Sequence, residues 1–289
     1  MGGTGWLKWL AAGSLVAVGQ SLRTTRRQAE AEVNHGWIEL ARRAGNQPPE
    51  RPFHRDMVWD LPDPAQRYLR HAIREGAALP RAVRLDLAGS FRLGSRWFPF
   101  VGTELLVPPH GYVFRAELGT AAAGRRCVEG HLDHFAHAQV WLHNLLPVLH
   151  EETTPDIVKW AAGRLLVDAL WCPATLLPQF GAIWEAVDDH RVSVRLPVQD
   201  DAANLILSVG PDGRLESFRL LRWGNPYAPD VWGRYLYGAR VEEERSFGDY
   251  TVPARYNAGW EFGKPDFVSV FQPRVVRATY VGPGASARV

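Results

Sequence analysis

The sequence predicts an α+β protein that is mainly β: a curved antiparallel sheet, a half-barrel of about ten strands, with a mid-chain helix packed on it and a helical N-terminal segment. Three observations carry this. Apolar residues alternate with polar ones in many short runs, the signature of strands with one buried face. Gly, Pro and Asp clusters separate those runs at turn positions. A single block, within residues 141–171, has helical character instead.

The N-terminal segment comes first. Trp9–Val18 is apolar, preceded by Lys8 and followed by Arg23, Arg26 and Arg27. A membrane-spanning helix needs about 20 apolar residues, so the run is short even when extended over residues 6–22. Its length suits the apolar core of an export signal, with Ala17-Val18-Gly19 as a small-x-small site. Left uncleaved, residues 6–22 would associate with a membrane, and the following arginines would hold the main domain on the cytoplasmic side. A soluble helix docked on the domain fits the same pattern, so the cell envelope and the cytoplasm both remain open. Gln28–Ala44 has helical spacing through Val33, Trp37, Ile38 and Ala41, and residues 45–52 read as a linker. The expected organisation is an N-terminal segment and linker over residues 1–57, one β-rich domain over 58–282 and a flexible tail over 283–289.

A short helix is predicted over Ala65–Glu75, opened by Pro64 and ended by Gly76. Val83–Leu93 then alternates with period two, and Trp97–Val107, Tyr112–Leu118 and Arg126–Phe135 follow as strands. Trp141–His150 leans towards helix, broken by Pro147. Thr154-Pro155-Asp156 is a helix start, with Thr as N-cap and Asp at the positive end of the dipole, and that helix should run to Trp171. Strands resume at Ile183–Val187, Val192–Leu196, Leu205–Val209 and Leu215–Trp223, the last two joined by a Gly210-Pro211-Asp212-Gly213 turn. Arg234–Phe247, Thr251–Phe262 and Phe267–Tyr280 complete the set.

Three stretches together resemble an uncharacterised bacterial family, a domain of unknown function. They are Leu61-Pro62-Asp63-Pro64-Ala65-Gln66-Arg67-Tyr68-Leu69; Arg164 through Trp171-Cys172-Pro173-Ala174, Leu176-Leu177-Pro178 and Trp184; and Asp212-Gly213 with Arg222, Gly248, Pro253 and Trp260. More loosely, a curved sheet with helices inserted mid-chain and a late Gly248-Asp249-Tyr250-Thr251-Val252-Pro253 strand is similar to the LolA-like lipoprotein-sorting carriers. That resemblance implies a hollow between sheet and helices that holds acyl chains.

Composition narrows the function classes. Net charge is +2, which supplies no field for nucleic-acid binding. Only Lys8, Lys159 and Lys264 are lysines among 33 Lys+Arg, so Arg replaces Lys throughout and an isolated Arg carries little functional weight. Cys127 and Cys172 give no basis for a disulfide or a zinc site, and Cys172 reads as a small buried hydrophobe. No nucleophile motif and no phosphate loop is present, and no cofactor is expected.

Two candidate sites remain. His131, Asp133, His134 and His137 are the densest set of metal-ligand types, but strand alternation puts His131 and Asp133 opposite His134, and a polar strand end explains them equally. Trp97, Trp171, Trp184 and Trp260, with Arg164 and Arg222, would line an apolar cavity with an arginine binding an acidic headgroup; equally, the rings fill a core and the arginines pair locally. The leading expectation is a non-enzymatic carrier of a hydrophobic or lipid-like ligand. The alternatives are a metal-assisted hydrolase using His131–His137 and an envelope scaffold with no small ligand.

Overall fold

A computed structural model describes residues 31, 33–48, 50–119, 125–133, 135–142, 146–151, 153–198, 203–228 and 230–282. The apolar run at 6–22 and the tail at 283–289 lie outside the described residues. Among the described residues no helix is long and apolar enough to cross a membrane.

Among the described residues, thirteen antiparallel strands form one open, curled sheet. In chain order they are β1 (Val83–Leu93), β2 (Arg96–Val107), β3 (Gly111–Leu118), β4 (Arg125–Leu132), β5 (Phe135–Leu142), β6 (Leu146–Glu151), β7 (Ile183–Ala186), β8 (Arg191–Arg195), β9 (Leu205–Val209), β10 (Leu215–Gly224), β11 (Gly233–Phe247), β12 (Tyr250–Trp260) and β13 (Val268–Tyr280). Across the sheet the order is β6-β5-β4-β3-β2-β1-β13-β12-β11-β10-β9-β8-β7. Each strand therefore pairs with its sequence neighbour, except where β1 meets β13 in the middle. The chain passes from one edge of the sheet to the other through helix α3 (Pro155–Asp168) and three short 3-10 turns between Ala169 and Phe180.

The sheet has two more strands than the sequence predicts. The stretch expected to be helical over Trp141–His150 instead supplies the end of β5 and most of β6. Pro147 does not prevent this because β6 is an edge strand, where a residue without an N–H is tolerated. The acidic residues Glu242, Glu243 and Glu244 are not on an edge strand. They lie in β11, an interior strand, and Glu244 accepts from the Leu215 amide at 3.1 Å and pairs with His71 at 3.0 Å.

Among the described residues, three α-helices cover the sheet. Helix α1 (33–45) buries Val33, Trp37, Leu40 and Ala44, a single stripe at helical spacing. Ile38, expected in that stripe, is 60% exposed, because the buried face runs through Leu40 and Ala44 instead. The stripe packs on Leu105 and Val107 of β2, Val113 of β3 and Val128 of β4. Alternate residues of the same strands, Leu106, Tyr112, Phe114 and Cys127, face the other side and join the main core. Both faces of β2–β4 are thus covered, which is why their sequences carry more apolar residues than strict alternation allows.

Helix α2 (Asp63–Ala72) starts with Pro64 in its first turn and buries Ala65, Tyr68, Leu69 and Ala72 against the main core. Its outer residue Arg67 reaches the carbonyls of Gly210 at 3.2 Å and Asp189 at 2.9 Å, tying α2 to the β7–β10 end. Gly213 is needed there: its φ is +87°, and a Cβ would stand 2.5 Å from the Arg67 carbonyl oxygen. Helix α3 begins as the sequence predicts, with the Thr154 hydroxyl accepting from the Ile157 amide at 3.3 Å. It is buried on most sides, with Ile157, Ala161, Leu165 and Leu166 among its core residues. Cys127 and Cys172 are both buried free thiols.

The α1 contact generates a direct expectation. Trp37 is 3% exposed, with the Arg115 guanidinium 4.8 Å from the centre of its ring. Trp37→Ala should lower stability by about 3–5 kcal/mol in urea unfolding. A loss of a few tenths would mean that α1 does not belong to the cooperative unit.

Candidate functional site

The site is built on a row of three residues across neighbouring strands. Glu104 of β2 pairs with Phe114 of β3, and Phe114 pairs with Glu129 of β4. Residues opposite one another in an antiparallel pair share a face, so two carboxylates flank one phenyl ring on the inner side of the sheet. Helix α3 lies over this row and directs Arg164 into it, its guanidinium carbon 4.9 Å from the centre of the Phe114 ring and 4.5 Å from that of Tyr112.

Every nitrogen of Arg164 is engaged by a carboxylate. Nη2 donates to Glu104 at 2.6 Å, Nη1 to Glu129, and Nε to Asp168, one helical turn on, at 2.8 Å. Glu129 also accepts from the Tyr112 hydroxyl. The Arg164 side chain is 12% exposed and that of Glu104 fully buried. The i,i+4 pair Arg164–Asp168, worth only tenths of a kcal/mol on a surface, is here part of a desolvated ion cluster. Such a cluster adds little net stability but fixes geometry, because removing one member strands the others.

Burial dominates the protonation of Glu104 and Asp168. It pushes Glu104 up to about 8 against the pull of Arg164, with Asp168 and Glu129 adding to the rise. Glu104 Oε1 has no hydrogen-bond partner, so a full charge there is poorly solvated. Burial likewise raises Asp168, again opposed by Arg164.

Beside the cluster, between α3 and the sheet, is a cavity of about 280 Å³. Its walls include Phe91 of β1, Phe114, Glu129, Trp160, Arg164, Val167 and Asp168 of α3, Arg222 of β10, Tyr237 of β11, Tyr256 and Trp260 of β12, and Val270 and Phe271 of β13. Arg222 is 6% exposed and stands against three rings, its guanidinium carbon 5.2 Å from the centre of Trp160, 4.9 Å from Tyr237 and 5.9 Å from Trp260. Gly224 makes room for this wall, since a Cβ there would lie 2.4 Å from the Trp260 ring. A larger groove of about 710 Å³ opens on the other face beside Val33, Asn34 and Arg115, but no aromatic ring lines it.

Of the residues singled out from sequence, Arg164, Arg222 and Trp260 meet at this cavity. Trp171 and Trp184 are core residues elsewhere, their indole N–H groups donating to the carbonyls of Pro253 at 2.9 Å and Leu176 at 2.8 Å. Trp97 lies on β2 opposite Arg92, 40% exposed. Sequence reasoning missed Glu104, Glu129 and Trp160. A carboxylate on an alternating strand looks like a wet-face residue until the register places it beneath a helix.

In the His131–His137 region, His131 is buried against Tyr112, ring centres 6.2 Å apart. Asp133 sits in the β4–β5 turn with φ 51°, both its oxygens held by Arg43 at 2.9 and 2.8 Å. His134 and the side chain of His137 lie outside the described part. Among the described residues no group of three or more His, Cys, Asp or Glu side chains is placed to hold a metal ion.

Two outcomes test the cluster. Arg164→Met leaves three buried carboxylates without their cation and should cost about 3–5 kcal/mol in denaturant unfolding; a near-neutral change would show that the ion cluster is not needed. In the fold Glu104 keeps its proton above 4.5, its ordinary value, up to about 8. The native state therefore binds more protons than the unfolded chain in that window, and the stabilisation, full below 4.5, is lost as pH rises through 8. Melting curves of the wild type should fall across this window more steeply than those of Glu104→Gln; parallel curves would refute the assignment.

No curated protein matches the chain in sequence. Solved structures similar to it include a LolA superfamily protein from Nitrosomonas europaea, with 9% identity, 75% of this chain and 91% of that one covered, and a TM-score of 0.40. A putative outer membrane lipoprotein-sorting protein domain from Vibrio parahaemolyticus gives 5% identity, 69% and 85% coverage, and a TM-score of 0.38. A DUF1329 family protein from Desulfovibrio piger gives 9% identity, 75% and 90% coverage, and a TM-score of 0.39. The sequence model of a family of unknown function, DUF6544, matches residues 51–272, a span that contains all three stretches named above. The chain belongs to the family of unknown function DUF6544.

Proposed function

We propose that this protein is a non-enzymatic binder or carrier of a small apolar or amphiphilic ligand, held between α3 and the inner face of the sheet. The observation that supports this most is the cavity itself. It has an aromatic wall of Phe91, Phe114, Trp160, Tyr237, Tyr256, Trp260 and Phe271, with a few converging charged groups, the usual make-up of a small-molecule site. A scaffold with no ligand would instead close α3 down on the sheet.

The volume limits the occupant. About 280 Å³ is the space of roughly nine water molecules. That admits one short alkyl chain or a compact ring system, not a lipid with two long chains. Cys127, which also lines the space, is held as a thiol because burial pushes it up to about 12, so it offers no nucleophile at neutral pH.

Native mass spectrometry before and after organic extraction tests the reading, together with titration of the extracted protein with octanol. A mass adduct lost on extraction, and one-to-one uptake of octanol that quenches or shifts Trp fluorescence, is the expected result. Val270→Trp, which fills the cavity from β13, should weaken uptake by roughly tenfold or more. Protein that carries no adduct and takes up no octanol would end the proposal.

A further inference from the structure

The two arginines of the cavity are in different chemical situations. Arg164 is paired on every side, each of its three nitrogens donating to a carboxylate. Arg222 is more deeply buried still, yet its hydrogen bonds reach only neutral groups, from Nη2 to the Trp160 carbonyl at 3.2 Å and to the Tyr237 side chain. Its Nε is buried without a hydrogen-bond partner, and among the described residues no carboxylate lies within ion-pair distance of the guanidinium. Asp168 acts on it only through the electrostatic field.

A guanidinium stays charged at any ordinary pH. A buried cation with an open N–H is therefore an unmet demand for an acceptor, and such groups are rare in native interiors. The rings of Trp160, Tyr237 and Trp260 hold the cation in place, and contact with aromatic rings leaves in-plane N–H donors for an acceptor arriving from the cavity. The same arrangement disfavours a cationic ligand, which would meet like charge there.

Resting on the binding function proposed above, we infer that the ligand is an amphiphile with one oxyanion headgroup, a carboxylate or a phosphate monoester, held by Arg222 while its apolar part lies along the aromatic wall. Arg164 does not contact the headgroup. Its role is to hold α3 and the carboxylates Glu104, Glu129 and Asp168 in one hydrogen-bonded cluster, so that Arg222 is the cation left for the ligand.

The test compares octanoate, octyl phosphate and octanol by titration calorimetry on extracted protein, with Arg222→Met and Arg222→Lys beside the wild type. Octanoate or octyl phosphate should bind the wild type roughly tenfold or more tighter than octanol, as expected for a hydrogen bond to a charged group. The one that binds tighter identifies the headgroup. Arg222→Met should reduce the preferred anion to the octanol level, while Arg222→Lys should retain part of the preference. If Arg222→Met does not fold, Arg222→Lys alone must still narrow the gap. Octanol binding as tightly as both anions to the wild type, or an anion preference that survives in Arg222→Met, overturns the headgroup assignment and leaves the binding function standing. No uptake of any of the three overturns both.

Discussion

Burial of a single arginine organises this molecule. Arg164 sits on a helix, yet two of its three carboxylate partners come from strands β2 and β4, on either side of Phe114. Apolar packing alone would let α3 slide or rotate over the sheet, since dispersion and burial are not directional. An ion cluster with one carboxylate per nitrogen has a single satisfactory geometry. The cluster ties the helix to β2 and β4, Arg222 and Trp223 of β10 hold its N-terminal half, and the space left between helix and sheet is walled by Arg222, Tyr237 and Trp260. The cavity is the remainder left by that placement, and its charged and aromatic halves follow from it.

The same strands serve two masters. Odd and even residues of β2–β4 are divided between α1 on one face and α3 on the other: Leu105, Val107, Val113 and Val128 against Glu104, Leu106, Tyr112 and Phe114. This division explains how the sheet can place two carboxylates on its inner face and still be stable. The apolar residues that would ordinarily surround such charges are supplemented by those on the outer face beneath Trp37 and Leu40. Helix α1 therefore supports the site without touching it.

Much of this was legible in the sequence, for identifiable reasons. The Thr154-Pro155-Asp156 cap, the Gly210–Gly213 turn and the alternation in Val83–Leu93 are local signals, and each marks the element it suggests. Arg164, Arg222 and Trp260 could be nominated because all three fall in the stretches that carry the family resemblance. Glu104 and Glu129 could not, since their meaning depends on a register that brings them into one row under a helix remote in sequence. Trp171 and Trp184 were indistinguishable from Trp260 in the sequence. What separates them is whether the indole N–H reaches a carbonyl within the core, a tertiary fact. Trp141–His150 misled because an apolar stretch with a proline fits a broken helix and an edge strand equally well.

The strand order has a consequence for how the chain assembles. Strands β1 to β6 form one consecutive meander and β7 to β13 another, and within each every pairing joins neighbours in sequence. The two meanders are hydrogen-bonded to each other where β1 zips to β13, with Val83 opposite Tyr280, and α3 bridges the outer edges. Local hairpins form fast, whereas pairing the ends of a long chain carries a large loop-closure entropy. Closure of the central seam is thus the step expected last, and the hollow beneath α3 depends on it for its final shape. A ligand lodged there touches β1 and β13 together with β10–β12, so it would act as a clasp across the last joint to form.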